Sequence, residues 1–247
     1  MMVPLPLRDR AAILAGLALL SGISWGYMWW LAADAMTLCT VSTNPWRAAD
    51  LLASLAMWAV MMAAMMIPSA SPTILAYAAV NRARREKSLP YVPATLFVTG
   101  YLAAWTAFSI LAAAAQGALR SAALLSPMMV GSSRILGQIL LIAAGVFQWT
   151  PLKNACLRHC RSPLGFILTE WRHGRAGAFR MGWRHGLFCV GCCWLLMALL
   201  FVVGVMNLWW VAAVAAFVLI EKLTPAGPLV ARIAGLLLIA SGVWLVR

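Results

Sequence analysis

The segment RHGLFCVGCCWLLM, residues 184–197, concentrates groups that bind soft metals or carry thiol chemistry. A helix turns by about 100° per residue. On that geometry His185, Cys189, Cys192 and Cys193 share one face, within an arc of about 100°. Met197 follows one turn beyond Cys193. Thiolate and thioether donors select Cu(I), while thiolates with imidazole also suit Zn²⁺. A lone cysteine in an apolar helix is a small hydrophobe, but three beside a histidine on one face read as a ligand set. One helix cannot enclose a metal, so other segments must add donors.

Two segments can do so. In PLKNACLRHCRSP, residues 151–163, a helix would put Cys156 and Cys160 one turn apart with His159 beside them. Their spacing is wider than the C-x₂-C of zinc ribbons, and Arg158 and Arg161 favour thiolate at this position. In MWAVMMAAMMIPSASP, residues 57–72, Met57, Met61 and Met65 form one ridge, and Met62 and Met66 form a second. Packing explains such methionines as gap-fillers; a thioether relay is the functional alternative, with Met61, Met62, Met65, Met66 and Met197 as weaker ligands. Pro68 and Pro72 lack N–H donors and free the carbonyls of Ala64 and Pro68. The helix is expected to open there, with Ser69 and Ser71 satisfying part of the freed backbone.

The elements that position these groups follow from composition. The 247-residue chain is 64% hydrophobic and 10% charged, with a mean hydropathy of +0.89. About 20 apolar residues span a bilayer core of about 30 Å. The expected fold is all-α, a single integral membrane domain over residues 1–247, with about seven transmembrane helices. The spans fall near 11–32, 51–79, 93–115, 134–151, 184–206, 208–222 and 228–246. Met61–Met66 and Cys192–Met197 then sit at similar depths. The long inner loop 152–183 contains SPLGFILTEW, read as an interfacial helix. The glycines at 174, 177, 182 and 186 read as an irregular connector.

With the N-terminus in the cytoplasm, only Arg47, Arg120, Arg134 and Arg247 of the nineteen basic residues lie outside. This bias obeys the positive-inside rule, and it accounts for the net charge of +13 without nucleic acid. Trp29, Trp30, Trp209 and Trp210 mark the outer interface, and Trp149, Trp171 and Trp183 the inner one. The first segment reads as a retained span, being long for the apolar part of a signal peptide. None of the six acids falls near a span centre. A carboxylate proton relay is therefore not expected, nor is an oxygen-rich site for Mg²⁺ or Ca²⁺.

The ordered stretches MMAAMMIPS (61–69), TPLKNACLRHCRSP (150–163), FRMGWRHGLFCVGCCWLLM (179–197), VGVMNLWW (203–210) and IEKLTP (220–225) carry a resemblance. Together they are similar to the bacterial family of predicted metal-binding integral membrane proteins, a domain of unknown function. The resemblance covers most of the chain. It implies metal binding in a bacterial inner (cytoplasmic) membrane protein and specifies no activity.

The leading reading is a membrane metal-handling protein that binds Cu(I), or Zn²⁺ second, for transport, insertion or delivery. Its partners would be the lipid bilayer, the metal ion and a metallochaperone or membrane partner protein. His185, Cys189, Cys192 and Cys193 form the core, and Cys156, His159 and Cys160 exchange metal with the cytoplasm. One alternative is a membrane thiol oxidoreductase using Cys192–Cys193 or Cys156/Cys160. Against it, only Cys39 lies outside, and a lone outer thiol cannot form a two-cysteine exchange centre. The other alternative is a non-catalytic scaffold or assembly factor. Hydrolytic chemistry lacks its motifs: there is no G-x-S-x-G and no H-E-x-x-H.

Overall fold

Long apolar runs without strand-and-turn alternation lead to helices, the only regular elements among the described residues. The computed structural model describes residues 5–37, 48–86, 91–124 and 133–245. Among these residues it contains α1 (Leu7–Thr37), α2 (Ala48–Arg85), α3 (Ala94–Ser121), α4 (Arg134–Phe147) and α5 (Pro151–Arg161). There follow α6 (Pro163–Thr169), α7 (Gly174–Ala198), the short α8 (Leu200–Val203), α9 (Leu208–Leu223) and α10 (Gly227–Trp244).

Five helices are long and apolar enough to cross a membrane, or six if the bent pair α4–α5 forms one span. This is compatible with a multi-pass membrane protein. The segment expected to span at 134–151 is bent by 64° between α4 and α5. Pro151 causes the break: it has no N–H for the α4 ladder but suits the first turn of a new helix, which Thr150 caps through Lys153 N–H. The segment expected at 208–222 is α9, sixteen residues long.

Burial orders the bundle. In α2 and α7 half of the apolar window is buried, whereas in α1 and α10 less than a quarter is. The central pair is α3 and α7, with α2 packed on α3 and α1 outside α2. On the other side α5 packs on α7, and α4 packs on α10. Glycines bring α3 and α7 together. A Cβ at Gly182 would land on the Phe97 carbonyl oxygen, and one at Gly100 on the Phe179 carbonyl. At Gly186 it would lie 2.9 Å from the Tyr101 carbonyl. Small residues permit such backbone contact between apolar helices. Gly182 and Gly186 therefore serve a helical seam and not the irregular connector expected, and a Cβ at Gly177 would meet Arg172 just before the helix; α7 starts at Gly174, ten residues before the span expected at 184.

Three further expectations change. Pro68 and Pro72 do not open α2, which runs through both. The freed carbonyls find hydroxyls: Ser21 Oγ of α1 donates to Ala64 O at 2.9 Å, and Ser71 Oγ donates to Pro68 O at 2.8 Å. Ser69 instead donates to Met66 O. Phe166 and Ile167 of α6 are buried in the protein core rather than laid on a membrane surface. Trp171 stacks on Tyr77 at 5.7 Å, with the Arg84 guanidinium over its ring, so it packs within the protein and not in an aromatic belt.

The basic segments assigned to one side do meet. Arg82 pairs with Asp9, Arg84 lies 3.0 Å from His173 Nδ1, and Arg184 pairs with Glu170 at 2.7 Å. Arg161 donates to the carbonyls of Glu221 and Pro225. These contacts tie the start of α1, the end of α2, the α5–α7 region and the end of α9 into one end of the bundle.

Candidate functional site

The cysteine helix α7 is held against α3 by the glycine seam, which fixes Cys189 opposite Tyr101. Cys189 Sγ lies 3.0 Å from Tyr101 Oη and 2.8 Å from Lys222 Nζ of α9. The thiols of Cys192 and Cys193 turn back along α7 and donate to the Cys189 carbonyl at 3.1 and 2.9 Å. From α5, Cys160 is buried in the same core as Cys189 and Cys192. Four thiols from two helices, those of Cys160, Cys189, Cys192 and Cys193, thus share one core, all of them free and buried. Cys156, one turn before Cys160, is only half-buried and packs on α7 at Gly191, where a Cβ would lie 2.8 Å from its sulfur. Gly191 leaves room for that sulfur.

The two histidines of the candidate set occupy different surroundings. His185 is buried among the rings of Phe97, Tyr101 and Phe166, at 6.0, 5.7 and 5.0 Å between centroids. Its Nδ1 has no hydrogen-bond partner among the described residues. His159 stacks on Phe188 at 4.0 Å, with Nδ1 2.9 Å from the Ala155 carbonyl. Among the described residues no three His, Cys, Asp or Glu side chains are arranged to hold a metal ion. Cys39 lies outside the described residues.

Met61, Met62, Met65, Met66 and Met197 are all buried in the same core as the thiols. The connections from α2 to the thiol cluster are polar. Tyr101 Oη donates to Met66 O at 3.1 Å, and Lys222 Nζ donates to Ser69 Oγ at 3.3 Å. The proline-containing stretch of α2 therefore touches the site through a carbonyl and a hydroxyl.

Lys222 and Tyr101 are the site residues that motif reading missed. In sequence Lys222 is one more basic residue at the end of a span; a buried orientation at 5% exposure shows only in three dimensions. Its neighbour Glu221 is also buried and pairs with Lys153 at 2.6 Å, both side chains fully enclosed. Gln148, at the α4–α5 bend, accepts from the same lysine. The pair joins α5 to α9 beside the thiols. Cys189-Val190-Gly191-Cys192 is moreover a C-x-x-C, the spacing of dithiol–disulfide exchange.

A bundle of long apolar helices around a buried group of thiols, with one ammonium among them, is a thiol-bearing helical protein of membrane-compatible composition. Sequence comparison places it more closely. The chain belongs to the PpoB2 copper chaperone family, whose model matches residues 55–245. That range contains every described cysteine, Tyr101 and Lys222, and it excludes α1. No curated protein and no solved structure matches the chain.

Proposed function

We propose that this protein is a multi-pass membrane protein that binds Cu(I) at the Cys189 cluster and hands it to a partner. The observation that carries the reading is the burial of Cys160, Cys189, Cys192 and Cys193, from two helices, in one core. Copper as cargo is supported by the family and by donor chemistry: thiolates are soft ligands, and Cu(I) is satisfied by two of them. A two-sulfur site needs no third His, Cys, Asp or Glu. Zn²⁺, which prefers four donors, suits this arrangement less well.

Roles follow from position. Cys189 and Cys160 are the leading ligand pair, with Cys192 and Cys193 as exchange partners and His185 as an imidazole donor whose Nδ1 has no partner among the described residues. Cys156, on the half-buried flank near His159, receives or releases metal. Met61, Met62, Met65, Met66 and Met197 line the surrounding core as thioethers available to a passing ion. The basic end faces the cytoplasm of a bacterial inner membrane, where a metallochaperone or membrane partner would dock.

Copper titration tests this. Purified protein should retain about one Cu(I) against a chromophoric chelator, and a C189S/C192S/C193S variant should lose it. Equal retention by the two proteins rejects the site. The C-x-x-C at 189–192 favours a second reading, thiol–disulfide exchange. Trapping of a mixed disulfide by a C192S variant, with no copper retained by the wild type, would select it.

A further inference from the structure

Resting on the copper reading, we propose that Lys222 is the counter-charge that makes the thiol cluster prefer a monovalent over a divalent cargo. Lys222 enters the core from α9, and its ammonium contacts Cys189 Sγ at 2.8 Å and Ser69 Oγ at 3.3 Å. The adjacent carboxylate is not its partner, because Glu221 turns toward Lys153. Among the described residues no carboxylate pairs with Lys222. A buried cation needs a counter-charge, and the contacting group able to carry one, as a thiolate, is Cys189. Tyr101 Oη lies 3.0 Å from the same sulfur, while its proton goes to the Met66 carbonyl.

The charge count then distinguishes metals. Before loading, the Cys189 thiolate and the Lys222 ammonium sum to zero. When Cu(I) bridges Cys189 and a second thiol, that S–H bond is exchanged for S–Cu and one proton leaves. The dithiolate–Cu(I) group carries one negative charge, and Lys222 balances it. Zn²⁺ between the same two sulfurs makes a neutral group and leaves the ammonium uncompensated in a water-poor interior, where unbalanced charge is most costly. Zinc would regain neutrality by recruiting a third thiolate or by driving the proton off Lys222, each at a cost that Cu(I) does not incur.

The test compares Cu(I) and Zn²⁺ affinities of full-length protein in detergent, by chelator competition, for wild type, K222M and K222R. K222M keeps the apolar stem and removes the charge. It should lower Cu(I) affinity by about tenfold or more while leaving Zn²⁺ affinity equal or higher, and K222R should restore the copper preference. A parallel fall for both metals, or an unchanged ratio, overturns the proposal. X-ray absorption of copper-loaded wild type requires no variant: two sulfur donors are expected, and three would break the charge balance. C189S separates this idea from the site itself. If C189S binds copper as wild type does, the site is wrong; if it loses copper while K222M keeps wild-type selectivity, only the counter-charge is wrong.

Discussion

Ser21 Oγ of α1 donates, at 2.9 Å, to the carbonyl of Ala64, the group that Pro68 leaves without its helical partner. Forty-three residues separate the two. An apolar environment offers no water to that carbonyl, so the first helix supplies what the second lacks. S21A should lower stability by about 1–3 kcal/mol, the cost of a buried acceptor left unpaired. P68A restores an N–H at residue 68, so S21A should cost much less in a P68A background. Thermal unfolding of the four proteins in detergent measures this coupling; equal costs in both backgrounds would show that the bond does not serve the proline.

The seam between α3 and α7 predicts a sharp size limit. G182L places a branched side chain against the Phe97 carbonyl and should prevent the folded protein from accumulating or sharply reduce its melting temperature. G16A is the control. Gly16 has nothing within 4 Å of its Cβ direction, and alanine is about 1 kcal/mol the better helix former. A G182L protein that melts like G16A would contradict the seam.

Lys153 and Glu221 form a fully enclosed ion pair. Removing one charge strands the other, so K153M or E221L alone should cost about 3–5 kcal/mol. The double variant K153M/E221L should recover most of that loss, since a buried pair contributes little over apolar packing. Additive single costs in unfolding experiments would argue against a direct pair.

Thiol exposure differs along α5 and α7. In a C39S background, native protein should take up one maleimide rapidly, at the half-buried Cys156, while Cys160, Cys189, Cys192 and Cys193 react only after unfolding. C156S should abolish the fast phase. Mass spectrometry after brief labelling reads this directly, and fast modification of Cys189 would contradict its burial.

Much of this architecture was legible in the residues. Apolar runs gave the long helices because a chain this poor in charge can bury them in few other ways, and 100° per residue put His185, Cys189, Cys192 and Cys193 on one face of α7, which the packing turns inward. The prolines misled, because a missing donor breaks a helix only where no distant hydroxyl compensates, and Ser21 is invisible to local reading. Glycine likewise has two meanings. Gly182 and Gly186 look like a flexible connector until the facing backbone of α3 is known. Lys222 was hidden by charge counting, which treats a lysine at a span end as solvated. Its direction depends on the packing of α9, and no motif encodes that.

The backbone-to-backbone seam makes α3 and α7 a single plank, so Tyr101 and Cys189 keep their spacing whenever the bundle breathes. Cys160 and Lys222 belong to shorter pieces, bolted to each other through Lys153 and Glu221 and braced by Arg161. On the proposed copper reading, the jamb is the glycine-locked plank. The looser edge of the doorway is α9, which carries Lys222 and meets α5 mainly through Lys153, Glu221 and Arg161.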